Sequence, residues 1–207
     1  GLTLGGEAIF DFSGSTVEFS GTLNNVQGTI SSNSSSIFEL QTPSSFSSNA
    51  GFTIPTLELN GQVLTLNTSS THLTLSNPFT VGSSESVDTQ VGSLTLNDSA
   101  TLQDDGTIES SAGVITFNGS VVLENASLLL TGGSVALNSG ATISGGELKL
   151  FDSSLTLAGN VGMTSDSTLS LKNTTIINPG SYTIGMTGGT LGLGGTYSDF
   201  GAVQTDN

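Results

Sequence analysis

The chain has 207 residues, and its 17 acidic residues stand against two basic ones, which gives a formal net charge of −15 at pH 7. Nucleic acids and anionic membrane surfaces are therefore poor partners, because both require clustered lysine or arginine. Cysteine is absent, 28 residues are glycine, and no segment shows a helical apolar pattern, so we expect an elongated all-β protein with almost no helix rather than a compact enzyme.

Residues 1–92 are the less regular part of the chain. Strand-like apolar segments occur there about five to ten residues apart or more, and serine- and asparagine-rich stretches at 31–36 and 44–50 interrupt them. Seven of the ten phenylalanines lie in this part. Two structures fit the pattern. One is a small β-sandwich. The other is a set of early coils of the same repeat fold that residues 93–207 predict, with longer loops between the strands. We favour the early coils.

The first segment of the chain has apolar residues of one parity, so an extended strand would present them on one face. A strand of this kind can add to the open edge of a neighbouring sheet, where main-chain hydrogen bonds give affinity and the side chains fill apolar sites. We therefore predict a self-associating protein, as a homopolymer or head-to-tail assembly. The residues of the candidate self-association strand are Leu2, Leu4, Ala8, Phe10 and Phe12.

A short apolar strand signal returns about every seven residues from Ser93 onward. It reads SLTL at 93–96, VITF at 114–117, SVAL at 134–137 and SLTL at 154–157, with further signals between them. The intervening pieces are mostly a few residues of glycine, serine, asparagine or aspartate, which make tight corners and leave no room for a crossover helix. Residues 93–207 therefore predict a regular parallel β-solenoid, or β-helix, in which three faces close a coil of about twenty residues.

Alternation within these strands predicts which side chains lie inside. In SLTL the leucines point one way and the hydroxyl side chains the other. Stacked coils bury one face of each strand, so the leucines should form the interior. We expect buried ladders at Leu94, Leu96, Leu155, Leu157, Leu169 and Leu171, and exposed side chains at Thr95, Thr156 and Ser170.

Residues that could carry catalysis are scarce. His72 is the only histidine, and strand parity places it outward beside Thr74. Asp104 and Asp105, with Glu109 nearby, form the densest acidic group, and a turn explains them better than converging carboxylates do. No calcium-loop or zinc-site pattern is present. We expect no enzyme, no cofactor, and no catalytic, cofactor-binding or metal-binding residue; a polysaccharide-active β-helix is the enzymatic alternative.

Six Asn-x-Ser/Thr sequons are candidate N-glycosylation sites. Their number barely exceeds what chance supplies in a chain so rich in serine and threonine. In an archaeal or eukaryotic source we expect several to carry glycans, and in most bacteria none. The six asparagines are Asn33, Asn67, Asn97, Asn118, Asn125 and Asn173.

The regular part resembles the β-solenoid passengers of autotransporter and related secreted adhesins. The likeness lies in coils such as Gly-Ser-Leu-Thr-Leu-Asn-Asp at 92–98 and Gly-Gly-Ser-Val-Ala-Leu-Asn-Ser-Gly-Ala-Thr-Ile at 132–143. A looser likeness is to chlamydial polymorphic outer membrane proteins. Their Gly-Gly-Ala-Ile motif occurs at 5–9 with an inserted glutamate, and their Phe-x-x-Asn motif at 117–120 without its asparagine. The resemblance implies a cell-surface role in adhesion or scaffolding.

These observations predict a non-enzymatic extracellular structural protein at the cell surface, a self-associating subunit of a filament, sheath or adhesive fibre. The end of a solenoid exposes unpaired backbone groups, so it must be capped or paired with another chain. The alternative is a monomeric adhesin passenger, whose partner is a host or neighbouring-cell surface. No apolar stretch reaches the length of a transmembrane helix, so we expect no direct membrane insertion.

Overall fold

The computed structural model describes residues 1–5, 8–25, 28–49, 51–178, 180, 182–195 and 202–205. Within these ranges the chain forms 29 short β-strands and no helix. Neighbouring strands in the sheets are parallel. Successive strands along the chain turn from one face of a rod to the next, and every third strand returns to the same sheet. The protein is therefore a parallel β-solenoid with three faces, as the repeat pattern predicts.

The first face is one unbroken ten-stranded sheet. Its strands are β1 (Leu2–Leu4), β4 (Thr22–Asn25), β7 (Ser44–Ser48), β10 (Val63–Leu66), β13 (Ser86–Asp88), β16 (Thr107–Ser110), β19 (Ser127–Leu130), β22 (Glu147–Phe151), β25 (Thr168–Lys172) and β28 (Thr190–Gly194).

The second face consists of a two-stranded sheet followed by a seven-stranded one. The pair is β2 (Ile9–Asp11) and β5 (Thr29–Ser31); the longer sheet is β8 (Gly51–Ile54), β11 (His72–Leu75), β14 (Ser93–Leu96), β17 (Val114–Phe117), β20 (Ser134–Leu137), β23 (Ser154–Leu157) and β26 (Thr175–Ile177).

The third face has a three-stranded sheet followed by a seven-stranded one. The first is β3 (Thr16–Phe19), β6 (Ile37–Leu40) and β9 (Thr56–Glu58); the second is β12 (Phe79–Val81), β15 (Ala100–Gln103), β18 (Val121–Glu124), β21 (Ala141–Ser144), β24 (Val161–Met163), β27 (Thr183–Met186) and β29 (Ala202–Thr205).

The coil length agrees with the predicted value of about twenty residues. The chain completes about nine turns of roughly 21 residues each. On the second face the step between paired residues is regular, as from His72 to Ser93 and on to Val114. Ten parallel strands about 4.8 Å apart make a rod roughly 45 Å long on the first face. Each coil packs only on its two neighbours, which is how a solenoid closes its core.

The first face continues without a break across residue 92, since β13 pairs with both β10 and β16. The second and third faces are interrupted earlier, between β5 and β8 and between β9 and β12. The described strands before and after residue 92 therefore lie in the same stack. The division into parts 1–92 and 93–207 as folding units stays a prediction.

The interior is a single column of stacked apolar side chains. The six leucines predicted to form ladders are all at most 1% exposed. Thr95, Thr156 and Ser170 lie on the outward side as expected, but they are half-buried rather than exposed, because the coils above and below cover part of each side chain. Strand parity thus sets the register, because a shift of one residue would turn every leucine to the solvent.

Aromatic rings fill the interior of the first three coils. Phe10, Phe12, Phe19, Phe38, Phe46 and Phe52 form a chain of ring contacts with centroids 5.2–6.0 Å apart. Most of these pairs meet edge to face, which aromatic quadrupoles favour. The phenylalanine-rich composition of residues 1–92 is therefore a packing feature of early coils.

Among the residues that the structure describes, nine hydroxyl side chains lie inside the rod, contrary to a simple division into leucine inside and serine or threonine outside. Ser110 shows why, since its Oγ accepts a hydrogen bond from the Gly113 amide at 2.8 Å and donates to the Gln90 carbonyl at 3.3 Å. Backbone groups at the corners lack a ladder partner, and a buried hydroxyl satisfies them. The nine are Ser36, Ser44, Ser48, Thr71, Thr89, Ser110, Ser153, Ser167 and Thr174.

Candidate functional site

The six sequon asparagines are all exposed. Five of them directly follow strands: Asn67, Asn97, Asn118, Asn125 and Asn173. Of these, Asn125 and Asn173 have left-handed backbones with φ of 51°. The sixth, Asn33, accepts hydrogen bonds through Oδ1 from the amides of the Gly14 and Ser35 corners at 3.0 and 3.1 Å. Exposure makes glycosylation sterically feasible, and modification of these six residues stays a prediction.

Three asparagines on successive coils form a ladder beside the second face. The Asn118 Nδ2 donates to Asn97 Oδ1 at 2.9 Å, and the Asn138 Nδ2 donates to Asn118 Oδ1 at 2.7 Å. Stacked amides support one another's hydrogen bonds along the rod. Two sequon asparagines, Asn97 and Asn118, therefore have a structural role of their own. The sequence shows that an asparagine follows LTL, ITF and VAL in three repeats. It does not show that these side chains form hydrogen bonds to one another.

The residues that were considered for catalysis from the sequence do not lie together in one site. His72 is exposed on the second face, and its Nδ1 contacts the Ser93 hydroxyl of the next coil. Asp104 and Asp105 are exposed in a turn with φ of 52° and 71°, which confirms the expected turn. Aspartate tolerates the left-handed region better than most residues do. The turn positions these carboxylates as solvent-facing corner residues.

A groove on the third face lies beside the turn at Leu59–Gln62. It has a volume of about 440 Å³, and Glu58 and Glu85 line it. The Glu85 carboxylate accepts hydrogen bonds from the Gly61 amide at 2.8 Å and from the Gly82 amide at 2.7 Å. Both of its oxygens thus tie neighbouring corners together. Glu85 therefore has a structural role as a clamp between two coils.

Neither a metal cluster nor a membrane-spanning helix is found in the part of the chain that the structure describes. No group of three or more histidine, aspartate or glutamate side chains there is placed to hold a metal ion. No described helix is long and apolar enough to cross a membrane. The expected absence of enzyme activity and of a cofactor stays a prediction.

Three glutamates stack in register on the outer surface of the third face. Glu18 pairs with Glu39, and Glu39 pairs with Glu58, on consecutive coils. Like charges directly opposite each other in a sheet are destabilising. Sequence reasoning missed this stack, because the spacings of 21 and 19 residues become a column only once the coil lengths are known.

The N-terminal end of the rod is an open sheet edge. Among the described residues, β1, β2 and β3 each pair with one strand only, in the second coil. Leu2, Phe10 and Val17 stay half-buried there although they pack on the core cluster. The Asp11 carboxylate next to this edge accepts a hydrogen bond from the Ser13 amide at 3.0 Å, which lowers its pKa and keeps it ionised. This edge thus has half-buried apolar side chains with one ionised carboxylate, that of Asp11, beside them.

At the C-terminal end of the described rod, some residues are exposed although their strand partners in the preceding coil are buried in the core. Leu193 is 48% exposed, whereas Leu171, its partner in the preceding coil, is 0% exposed. Val203 is 41% exposed, whereas its partner Ile184 is 1% exposed. Both side chains belong to inward rows that no further described strand covers. Within the described residues, the edges of the first and last coils are thus the places where inward side chains are partly exposed.

The candidate self-association strand lies within the first coil. Leu4 and Phe12 are buried, and Leu2, Ala8 and Phe10 pack partly buried on the same core. Their apolar side chains thus face the protein's own interior, and what the segment offers a neighbour is the open backbone edge of β1 and β2. Self-association through these residues stays a prediction.

Comparison with known proteins finds no matching family model, no matching curated protein and no matching solved structure. The geometry of the solenoid is therefore the basis on which a function must be argued.

Proposed function

We propose that this protein is a non-enzymatic extracellular structural protein, a self-associating subunit of a surface filament, sheath or adhesive fibre. The observation that carries the proposal is the stack of parallel coils itself, in which the outermost described strands on the first and third faces each have one described neighbour and partly exposed inward residues. Open edges of this kind promote pairing with another chain. Since a parallel solenoid has the same hydrogen-bonding direction throughout, the two ends of successive copies are complementary.

The sides of the rod suit a role outside the cell. A net charge of −15 keeps such rods soluble and disfavours lateral clumping. Two lysines and no arginine leave a trypsin-like protease almost nothing to cut. The resemblance to adhesin passengers supports a cell-surface location and contact with a host or neighbouring cell. Association through the ends leaves all three faces exposed for such contacts.

The test is electron microscopy and light scattering of the purified 207-residue chain. We expect fibres whose width matches one solenoid, and we expect Leu193→Asp to abolish them, because a charge would then be buried in the contact. Leu129→Asp is the matched control, since Leu129 is an outward, half-buried residue in the middle of the rod. Circular dichroism checks that both variants fold.

The alternatives give different results. Dispersed single rods that bind cells would favour the monomeric adhesin passenger. Turnover of a polysaccharide that is lost in Glu58→Gln would favour a polysaccharide-active β-helix. Either outcome, without fibres, contradicts the proposal.

A further inference from the structure

We propose that two copies of this chain pair side by side, antiparallel, through the outer surface of the first face. In this pair Lys149 of each copy contacts Glu109 of the other, and Phe151 of each copy enters a groove on the other. The inference rests on the proposed function and adds a lateral contact to it. Each fibre keeps the width of one solenoid, and the contact joins two fibres through a face that association through the ends leaves exposed.

The first face carries opposite charges on the two sides of its strand β19. One outward row reads Asp88, Glu109, Leu129, Lys149 and Ser170 on consecutive coils. Leu129 therefore has a carboxylate one coil away on one side and an ammonium group one coil away on the other, each step being about 4.8 Å. Such a row is self-complementary, because its reversal about Leu129 sets each lysine opposite a glutamate.

The two lysines of the chain both lie on the outward side of this face, at Lys149 and Lys172. A net charge of −15 makes contact between other parts of two rods unfavourable. Lys149 already contacts Glu147 of its own strand at 2.5 Å, and the two side chains are 33% and 41% exposed. Exposed pairs of this kind are weak, and an ammonium group has further N–H donors. Lys149 can therefore bind a second carboxylate.

A groove of about 430 Å³ opens on the first face beside Leu129. It lies on the side of Glu109, and Val91 and Ser111 also line it. Val91 is 41% exposed and Leu129 is half-buried, so apolar surface at the groove is in contact with water. An apolar side chain from a second copy would remove this surface from water.

Phe151 is the apolar side chain that the antiparallel pair places in the groove. It has the outward parity of Lys149 and is half-buried. Ser111, Thr131 and Phe151 occupy one row on consecutive coils, because each directly follows a member of one paired inward row. Reversal about the coil of Thr131 sets Phe151 of one copy over Ser111 of the other. One two-fold axis thus pairs the charges and fills both grooves.

Parallel pairing through the same face is the geometric competitor. A two-fold axis along the rod would set each coil against its own copy, with Lys149 against Lys149 and Glu109 against Glu109. Like charges placed opposite each other repel. Phe151 would also meet a second Phe151, and the grooves would stay open. The outer surface of the first face therefore favours the antiparallel pair.

Charge reversal tests the contact, because the two-fold axis makes every substitution act twice. Glu109→Lys and Lys149→Glu should each raise the dissociation constant of the lateral pair by about tenfold or more. Sedimentation velocity below the concentration at which fibres grow measures it. Glu109→Lys makes the chain less negative, so general repulsion alone would predict tighter pairing. Glu124→Lys is the matched control, since it makes the same charge change at an exposed residue of the third face and should not weaken the pair.

An equimolar mixture of Glu109→Lys chains and Lys149→Glu chains is the decisive sample. In a mixed pair one contact has both charges reversed and the other has both in their natural places, so both contacts attract. The mixture should therefore recover the affinity of the unsubstituted chain. Phe151→Ala should weaken the pair with no recovery in any mixture, and circular dichroism checks that every variant folds.

Weaker pairing in both reversed variants, with recovery in their mixture, supports the inference. Pairing that reversal leaves unchanged, or that is lost from folded chains without recovery, overturns it. Fibres of single-solenoid width that never pair also overturn it and leave the proposed function standing. Absence of both fibres and pairs in the unsubstituted chain refutes the proposed function as well.

Discussion

Substitution of Gly133 by alanine should be far more costly than the same change at Gly61. Both glycines have left-handed backbones, with φ of 77° and 75°. The conformational cost of adding a Cβ, about 1–2 kcal/mol, is therefore the same at both positions. Around Gly61 no atom lies within 4 Å of the added Cβ, whereas at Gly133 the Gly113 carbonyl oxygen would lie 2.0 Å from it. An ordinary C···O contact begins at about 3.3 Å. The two coils would therefore have to separate by more than an ångström.

That separation has a calculable consequence. The Gly113 carbonyl accepts the Ser134 amide at 3.0 Å, and loss of such a bond costs about 1 kcal/mol. Overpacking adds about 1–3 kcal/mol. We expect Gly133→Ala to lower the free energy of unfolding by about 3–5 kcal/mol and Gly61→Ala by about 1 kcal/mol, of which reduced unfolded-state entropy offsets part.

Guanidinium unfolding followed by circular dichroism measures the difference. Because a solenoid can unfold in parts, hydrogen exchange of the amides next to each site is the second measurement, and it should show local opening at Gly133 only. Equal destabilisation of the two variants, within about 0.5 kcal/mol, would refute the argument from coil-to-coil contact. It would mean that backbone strain alone decides the cost.

Three further outcomes follow from the packing and the charge. Leu128→Ala should destabilise by about 2–5 kcal/mol, and Leu129→Ala by well under half as much, because only Leu128 points inward; equal effects in thermal melts would contradict the register. Ser110→Ala should cost about 1–3 kcal/mol by leaving the Gly113 amide unsatisfied, and a neutral result would show that water replaces the hydroxyl. Fibre growth followed by light scattering should speed up between low and about 0.15 M salt, because screening weakens repulsion between chains of charge −15; a rate independent of salt would mean that the charge lies away from the contact.

The coil could be predicted from the sequence because its signal is local. SLTL at 93–96 alternates with a period of two residues, and glycine, serine, asparagine or aspartate marks most corners between strands. Coil length then follows from counting strands around three faces. The same reasoning explains why the turn at Asp104 and Asp105 is correctly predicted.

Features that depend on which coils meet could not be predicted in this way. Ser110 has the inward parity of Ile108 and is 4% exposed, but the sequence does not show that its hydroxyl accepts a hydrogen bond from the Gly113 amide. The stack of Glu18, Glu39 and Glu58 requires unequal coil lengths before the three carboxylates fall in line. The apolar residues of 2–12 have the alternation of an edge strand, and only the fold shows that they pack on the protein's own core.

A stack in which each coil touches only its neighbours has a modular length. Removal of residues 114–133 would bring β14 against β20, with Leu94 on Val135 and Leu96 on Leu137, since these pairs already share rows through β17. Loss of a single residue inside a strand would instead turn the following side chains to the wrong face. Such a chain can therefore lengthen or shorten by whole coils, while the register of strand pairing in the remaining coils stays the same.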